Sequence, residues 1–216
     1  MNWFFITILT LVPLSIPIGN GIIADIDSQL QEGHPYADED KVTHTHEGTH
    51  GINSRLRKIH RSPGFYLLKG KALILDAEPL GTLAGVANVV PPSVRGDVYQ
   101  LYLVQSRRYW NEQPSYMFDE LTGYTNGAIA RKELGIERRE ETVRYAAEFM
   151  IYSACVPYAS REENMNLKES LRTMLERARK VGARKFLDLS NPDCDKFIEF
   201  LRAYFGPVWT LRNYGV

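Results

Sequence analysis

The chain reads as a mostly helical α+β fold. Three observations predict it. Apolar residues recur every three to four positions over most of the chain, above all between residues 140 and 205. One compact run, Phe65 to Leu75, breaks at Lys69-Gly70 as a β-hairpin does. Ser62-Pro63-Gly64, Pro91-Pro92, Pro114 and Gly135 fall where the periodic stretches begin or end. The 216 residues suffice for one domain with a sizeable core. Their 44% hydrophobic and 24% charged content is that of an ordinary globular protein. The net charge is zero, which argues against nucleic acid or an anionic membrane as the main partner.

Residues 1–21 are apolar, with no charged side chain before Asp25. Two readings stand. One is a secretory signal ending near Gly19-Asn20-Gly21, whose n-region carries no Lys or Arg. The other is a buried hairpin turning at Asn20-Gly21, flanked by Ile16-Pro17-Ile18 and Ile22-Ile23. The first would make the protein secreted or periplasmic, the second cytoplasmic. Pro13 and Pro17 interrupt the run, so no stable membrane span is expected. Residues 25–42 are acidic and read as a loop. Asp38 to Asp40 then lie at the start of a helix from about Asp40 to Ile59, where its dipole favours acids.

The hairpin at 65–75 offers an edge to which an extended peptide could add a strand. Helical patterns follow from Pro79, from Ser93 to Arg107, and from Ser115 to Leu134, with a polar aromatic loop at 107–114. Three further apolar stripes run over Glu140–Tyr152, Leu167–Val181 and Asp193–Phe205. Residues 22–135 are expected to form the working core, and 136–216 a helical part of the same domain. Cys155 and Cys194 lack metal-site spacing and read as a disulfide or as two buried thiols.

Within the first long helix stands His46-Glu47-x-x-His50. Residues four apart lie on one helical face, so two imidazoles can share a tetrahedral zinc. Glu47 can hold a water there and take its proton. The flanks are uncharged from Val42 to Ser54, as suits a helix buried beside a metal. Gly48 and Gly51 count against the helix, costing about 1 kcal/mol each unless they permit close packing.

A catalytic zinc needs a third protein ligand. Asn53 and Leu56 stand where a third-histidine motif would place Gly and His. A carboxylate from a second helix is therefore expected. Glu120 is the choice and Asp119 the runner-up, both in a helix that otherwise looks dry.

With these residues the chain resembles the gluzincin metallopeptidases. Ser115-Tyr116-Met117-Phe118-Asp119-Glu120 is similar to the glutamate-helix segment of compact members related to anthrax lethal factor. The resemblance covers about residues 40–135. It implies a zincin-like fold with Zn2+ held by His46, His50 and Glu120. It also implies Glu47 as general base, a tyrosine (Tyr109 or Tyr116) assisting the oxyanion, and a peptide or protein substrate. The family's tyrosine spacing is not reproduced, since Gln113 stands seven before Glu120. A non-catalytic helical binding module carrying the motif by chance is the alternative. A zinc hydrolase of non-peptide substrates ranks last.

Overall fold

The computed structural model describes residues 12–13, 21–30, 34, 38–138 and 140–216. A short strand β1 (Val12–Pro13) and helix α1 (Ile22–Gln29) precede the long helix α2 (Lys41–His60). The strands β2 (Gly64–Tyr66) and β3 (Lys71–Ile74) follow. Then come α3 (Leu83–Val89), a 3-10 turn at Pro92–Val94, a single turn α4 (Asp97–Tyr99), a π-helical stretch at Gln100–Gln105, and α5 (Arg107–Trp110). The rest is helical: α6 (Tyr116–Glu133), α7 (Glu140–Ser160), α8 (Met165–Lys180), α9 (Asp195–Phe205) and α10 (Pro207–Tyr214). This is the mostly helical α+β architecture that the periodicity predicts. No helix among the described residues is long and apolar enough to cross a membrane.

The small sheet is antiparallel in the order β1-β3-β2. The turn between β2 and β3 is tight, with Leu68, Lys69 and Gly70 all at positive φ. Two hydrophobic clusters flank the sheet. The larger is built from α3, α6, α7, α8 and α9, with Phe118, Phe149, Tyr152 and Leu175 fully buried. The smaller joins Ile22 and Ile26 of α1 to Ile52 and Leu56 of α2 and to Tyr66 and Leu68.

Helix α2 begins where the acids predict. Asp40 is its N-cap, accepting from the Val42 N–H at 3.0 Å and from the Thr43 hydroxyl at 3.2 Å. The two glycines inside it are contact points. A Cβ at Gly48 would stand 2.5 Å from Ile26 Cγ2 of α1, and one at Gly51 would meet the His34 ring. Close packing therefore offsets the weak propensity of both residues.

Three expectations need correction. Ile22 and Ile23 open a helix rather than the second strand of a hairpin. Gly21 has φ 93°, and Glu133 of α6 accepts the Ile22 N–H at 2.8 Å, which caps α1. The remainder of the signal-or-hairpin reading lies outside the described residues, apart from Val12–Pro13, which pair with β3. Residues 25–29 are not loop. Asp25 is buried because the Tyr66 hydroxyl and the Lys69 N–H both donate to it at 2.8 Å. The single helix expected over 93–107 is instead a 3-10 turn, the single turn α4 and a π-helical stretch, three pieces in all, and the 107–114 loop contains α5. A further helix, α10, follows Gly206, with Pro207 in its first turn. Cys155 and Cys194 are buried free thiols.

Candidate metal centre

Helices α2 and α6 lie against each other, and the candidate site forms on their shared face. His46 and His50 are one turn apart on α2, with their Nε2 atoms 2.9 Å apart. Glu120, on the second turn of α6, brings Oε2 to 3.6 Å from His46 Nε2 and 3.7 Å from His50 Nε2. These three form the one group among the described residues able to share a metal ion. A tetrahedral zinc with bonds of about 2.0–2.1 Å sets its ligand atoms roughly 3.3 Å apart. The observed triangle brackets that value.

The donor chemistry fits the ion in two further ways. Glu120 is 3% exposed, and its Oε2 has no hydrogen-bond partner among the described residues. A buried carboxylate oxygen left so is costly without a cation. Behind His50, Nδ1 lies 3.1 Å from Asp119 Oδ1, the carboxylate–histidine arrangement that orients a metal-binding imidazole. Asp119, the runner-up ligand, thus serves the histidine rather than the triangle. Asn53 completes the chain by donating from Nδ2 to Asp119 Oδ1 at 2.5 Å. Among the described residues His46 Nδ1 has no matching partner. It is buried against Gly123, where a Cβ would stand 3.1 Å away.

The electrostatics separate the two imidazoles. Burial, then the neighbouring His50, push the pKa of His46 well below its ordinary value. Burial acts on His50 in the same sense, but the charges of Asp119 and Glu120 outweigh it and hold His50 well above. Glu47 is half-buried, with Oε1 4.0 Å from His46 Nε2. Burial raises its carboxyl, His50 opposes the rise, and Glu120 adds to it.

The triangle opens into a cleft of about 580 Å³, whose walls include Glu47, Phe65, Tyr102, Trp110 and Tyr116. Arg57 also lines it, paired with Glu78 at 3.1 Å. Strand β2 forms one wall. Phe65 pairs with Leu73 in the sheet, and the Leu67 N–H donates to Lys71 O in the same register. Gly64 and Tyr66 therefore turn their backbone groups away from β3. Those of Tyr66 are taken: its N–H donates to Asn53 Oδ1 at 2.6 Å and its carbonyl accepts from Asn126 Nδ2 at 3.0 Å. Only the Gly64 end of the edge borders the cleft. The peptide-binding edge suggested by the hairpin is thus reduced to one residue.

The structure brings His46, Glu47, His50 and Glu120 together and leaves Tyr109 outside. Tyr109 is 65% exposed on α5, and its hydroxyl accepts from Arg108 Nη2 at 2.6 Å. The tyrosines at the site are Tyr102, Tyr116 and Tyr124. Tyr116, the other tyrosine candidate, stacks on Trp110 with ring centroids 4.8 Å apart. Tyr102 and Tyr124, which sequence reasoning passed over, share a 3.0 Å contact between hydroxyls. Burial first, and the Glu120 charge second, push the phenols of Tyr102 and Tyr116 up, so both remain protonated donors.

Comparison with known proteins gives no significant match: no family model, no curated protein and no solved structure. The reading of the site rests on its geometry.

Proposed function

We propose that the protein is a zinc-dependent peptidase. The observation that carries this reading is the convergence of His46 Nε2, His50 Nε2 and Glu120 Oε2 beside Glu47, at the floor of an open cleft. His46, His50 and Glu120 would hold the ion, leaving the cleft side for water and substrate. Zinc in such a site supplies Lewis acidity, polarising a carbonyl and lowering the pKa of water in its open position to about 7.

The chain's own residues do the rest. Asp119, steadied by Asn53, fixes the His50 ring. Glu47, held above the ordinary carboxylate range, accepts the proton of the attacking water and passes it to the leaving amine. A protonated tyrosine on the cleft wall, Tyr102 or Tyr116, donates to the developing oxyanion. The backbone of Gly64 aligns one residue of an extended substrate. A peptide suits the site because its carbonyls and amides match these donors and acceptors.

The test is Glu47→Gln. The variant should retain zinc, since Glu47 is not a ligand, while peptide hydrolysis falls by at least about a thousandfold. Hydrolysis at the wild-type rate would remove Glu47 from the mechanism. Full zinc occupancy with no hydrolysis of any peptide by the wild-type chain would favour a non-catalytic zinc protein.

A further inference from the structure

Aromatic side chains form a continuous series along the main cleft. Trp110 of α5 stacks on Tyr116 of α6, with ring centroids 4.8 Å apart and planes 14° from parallel. Tyr116 meets Tyr102 at 6.2 Å, and Tyr102 stands edge to face on the buried Phe149 at 5.0 Å. Trp110, Tyr116 and Tyr102 all line the cleft that holds the candidate triangle. Tyr116 covers one face of the indole, yet Trp110 is still 38% exposed. The outer face and edge of the indole are therefore what the cleft offers to a ligand.

The stack is tied down on both sides. The Gln113 N–H donates to the Trp110 carbonyl at 2.8 Å, and the Tyr116 N–H to the Gln113 carbonyl at 2.9 Å, so two successive turns join the rings. Next to Trp110, the Asn111 carbonyl accepts from the Leu83 N–H at 2.9 Å and its Oδ1 from the Ala84 N–H at 3.1 Å, which fastens the turn to α3. A flat surface held in this way loses little freedom when a ligand lands on it. The charged groups of the cleft are meanwhile engaged. Asp119 faces His50, Glu120 faces both histidines, Glu47 lies beside His46, and Arg57 is paired with Glu78. Selection among substrate side chains thus falls to the rings, which gain beyond buried area when their partner is aromatic too. The register follows from α6. Tyr116 lies one turn before Glu120 on the same face, about 6 Å along the axis. An extended peptide advances about 3.3 Å per residue, so the stack meets a side chain about two residues from the bond at the metal.

We propose that the Trp110–Tyr116 stack is a shelf for an aromatic side chain, so that the substrates are peptides carrying Phe, Tyr or Trp about two residues from the scissile bond. The proposal rests on the peptidase reading above and adds the substrate class to it.

The experiment uses the zinc-loaded full chain and quenched fluorescent peptides, with cleavage positions read by mass spectrometry. One residue is varied at each of the three positions on either side of the cleaved bond, in an otherwise constant sequence. Phe is compared there with cyclohexylalanine, which matches its bulk but has no aromatic face. At one position about two residues from the bond, kcat/KM should be about two- to tenfold higher for Phe. Trp110→Leu keeps an apolar side chain on the wall and should bring that ratio close to one. Tyr109→Ala, which alters a ring outside the cleft, should leave it unchanged. Each ratio compares two substrates in one preparation, so it does not depend on how much of a variant folds. Efficient cleavage with no preference for Phe over cyclohexylalanine at any position overturns this proposal and leaves the peptidase reading intact. A preference that Trp110→Leu leaves unchanged, or that Tyr109→Ala removes equally, has its source elsewhere and overturns it too. No cleavage of any peptide by zinc-loaded protein overturns the peptidase reading, and this proposal with it.

Discussion

Gly123 sets how closely the two helices that carry the candidate ligands approach at the site. It lies one turn after Glu120 on α6, and a Cβ there would stand 3.1 Å from His46 Nδ1 and 3.3 Å from His50 Cε1. Both imidazoles would have to shift by a few tenths of an ångström. In an ordinary helix interior, Gly→Ala stabilises by about 1 kcal/mol. Gly123→Ala should therefore leave the thermal stability of metal-free protein little changed while weakening zinc binding by at least about tenfold. Competition against a chromophoric chelator, alongside a melting curve of chelator-treated protein, measures both. Unchanged zinc affinity would mean that the rings move freely and that Gly123 is not a spacer for the site. At this scale much of the site was legible. The spacing of His46, Glu47 and His50 states its own chemistry, and Glu120 stood out as a carboxylate in an apolar helix. Asn53 did not, because a polar residue in a helical stripe does not announce which groups it will satisfy. Here it serves two at once, the Asp119 carboxylate and the Tyr66 N–H.

Between elements, the positions of α2, α6 and β2 are locked by a buried polar junction. Asn126 of α6 donates to Thr49 Oγ1 of α2 at 3.1 Å and to the Tyr66 carbonyl of β2 at 3.0 Å. Arg177 of α8 donates to Asn126 Oδ1 and to the Leu67 carbonyl, each at 2.9 Å. Burial pulls the Arg177 pKa down to about 10, which still leaves it charged at neutral pH. Asn126→Ala would strip partners from a guanidinium, a hydroxyl and a carbonyl together. The Arg177 guanidinium keeps the Leu67 carbonyl and the Thr49 hydroxyl keeps the Thr45 carbonyl, but the Tyr66 carbonyl is left buried and unsatisfied, so a loss of about 2–3 kcal/mol is expected in urea unfolding. A loss below about 1 kcal/mol would mean that water enters the junction and replaces the amide. The elements themselves were unevenly legible. Helix α2 was framed by Asp40 and by Ser62-Pro63-Gly64. Helix α1 was hidden because its acids mimic a loop, and only Tyr66 and Lys69, far along the chain, reveal why Asp25 faces inward. The π-helical stretch accounts for the tyrosines. Its i→i+5 bond, Ser106 N–H to Leu101 O at 2.9 Å, breaks the 3.6-residue register. Periodicity alone therefore could not tell that Tyr102 faces the cleft and Tyr109 faces solvent.

Over the whole molecule, the candidate centre sits where the two hydrophobic clusters meet. Helix α2 carries Ile52 and Leu56 into the smaller one, and α6 carries Phe118 and Leu121 into the larger. Its candidate ligands thus come from two helices that are each anchored in a hydrophobic core, as a preorganised metal site would require. The general fold was readable from periodicity because long amphipathic helices dominate it. The arrangement of the two clusters was not, since it depends on long-range pairings such as Glu133 with the Ile22 N–H. The central claim is that His46, His50 and Glu120 together hold zinc. Elemental analysis of protein purified without added chelator tests it most directly. The account predicts about one zinc per chain in the wild type and in Glu47→Gln, and little or none in His46→Ala or Glu120→Ala. A wild-type chain that holds no zinc even after incubation with the metal, or a Glu120→Ala variant that holds it as well as the wild type, would contradict the account.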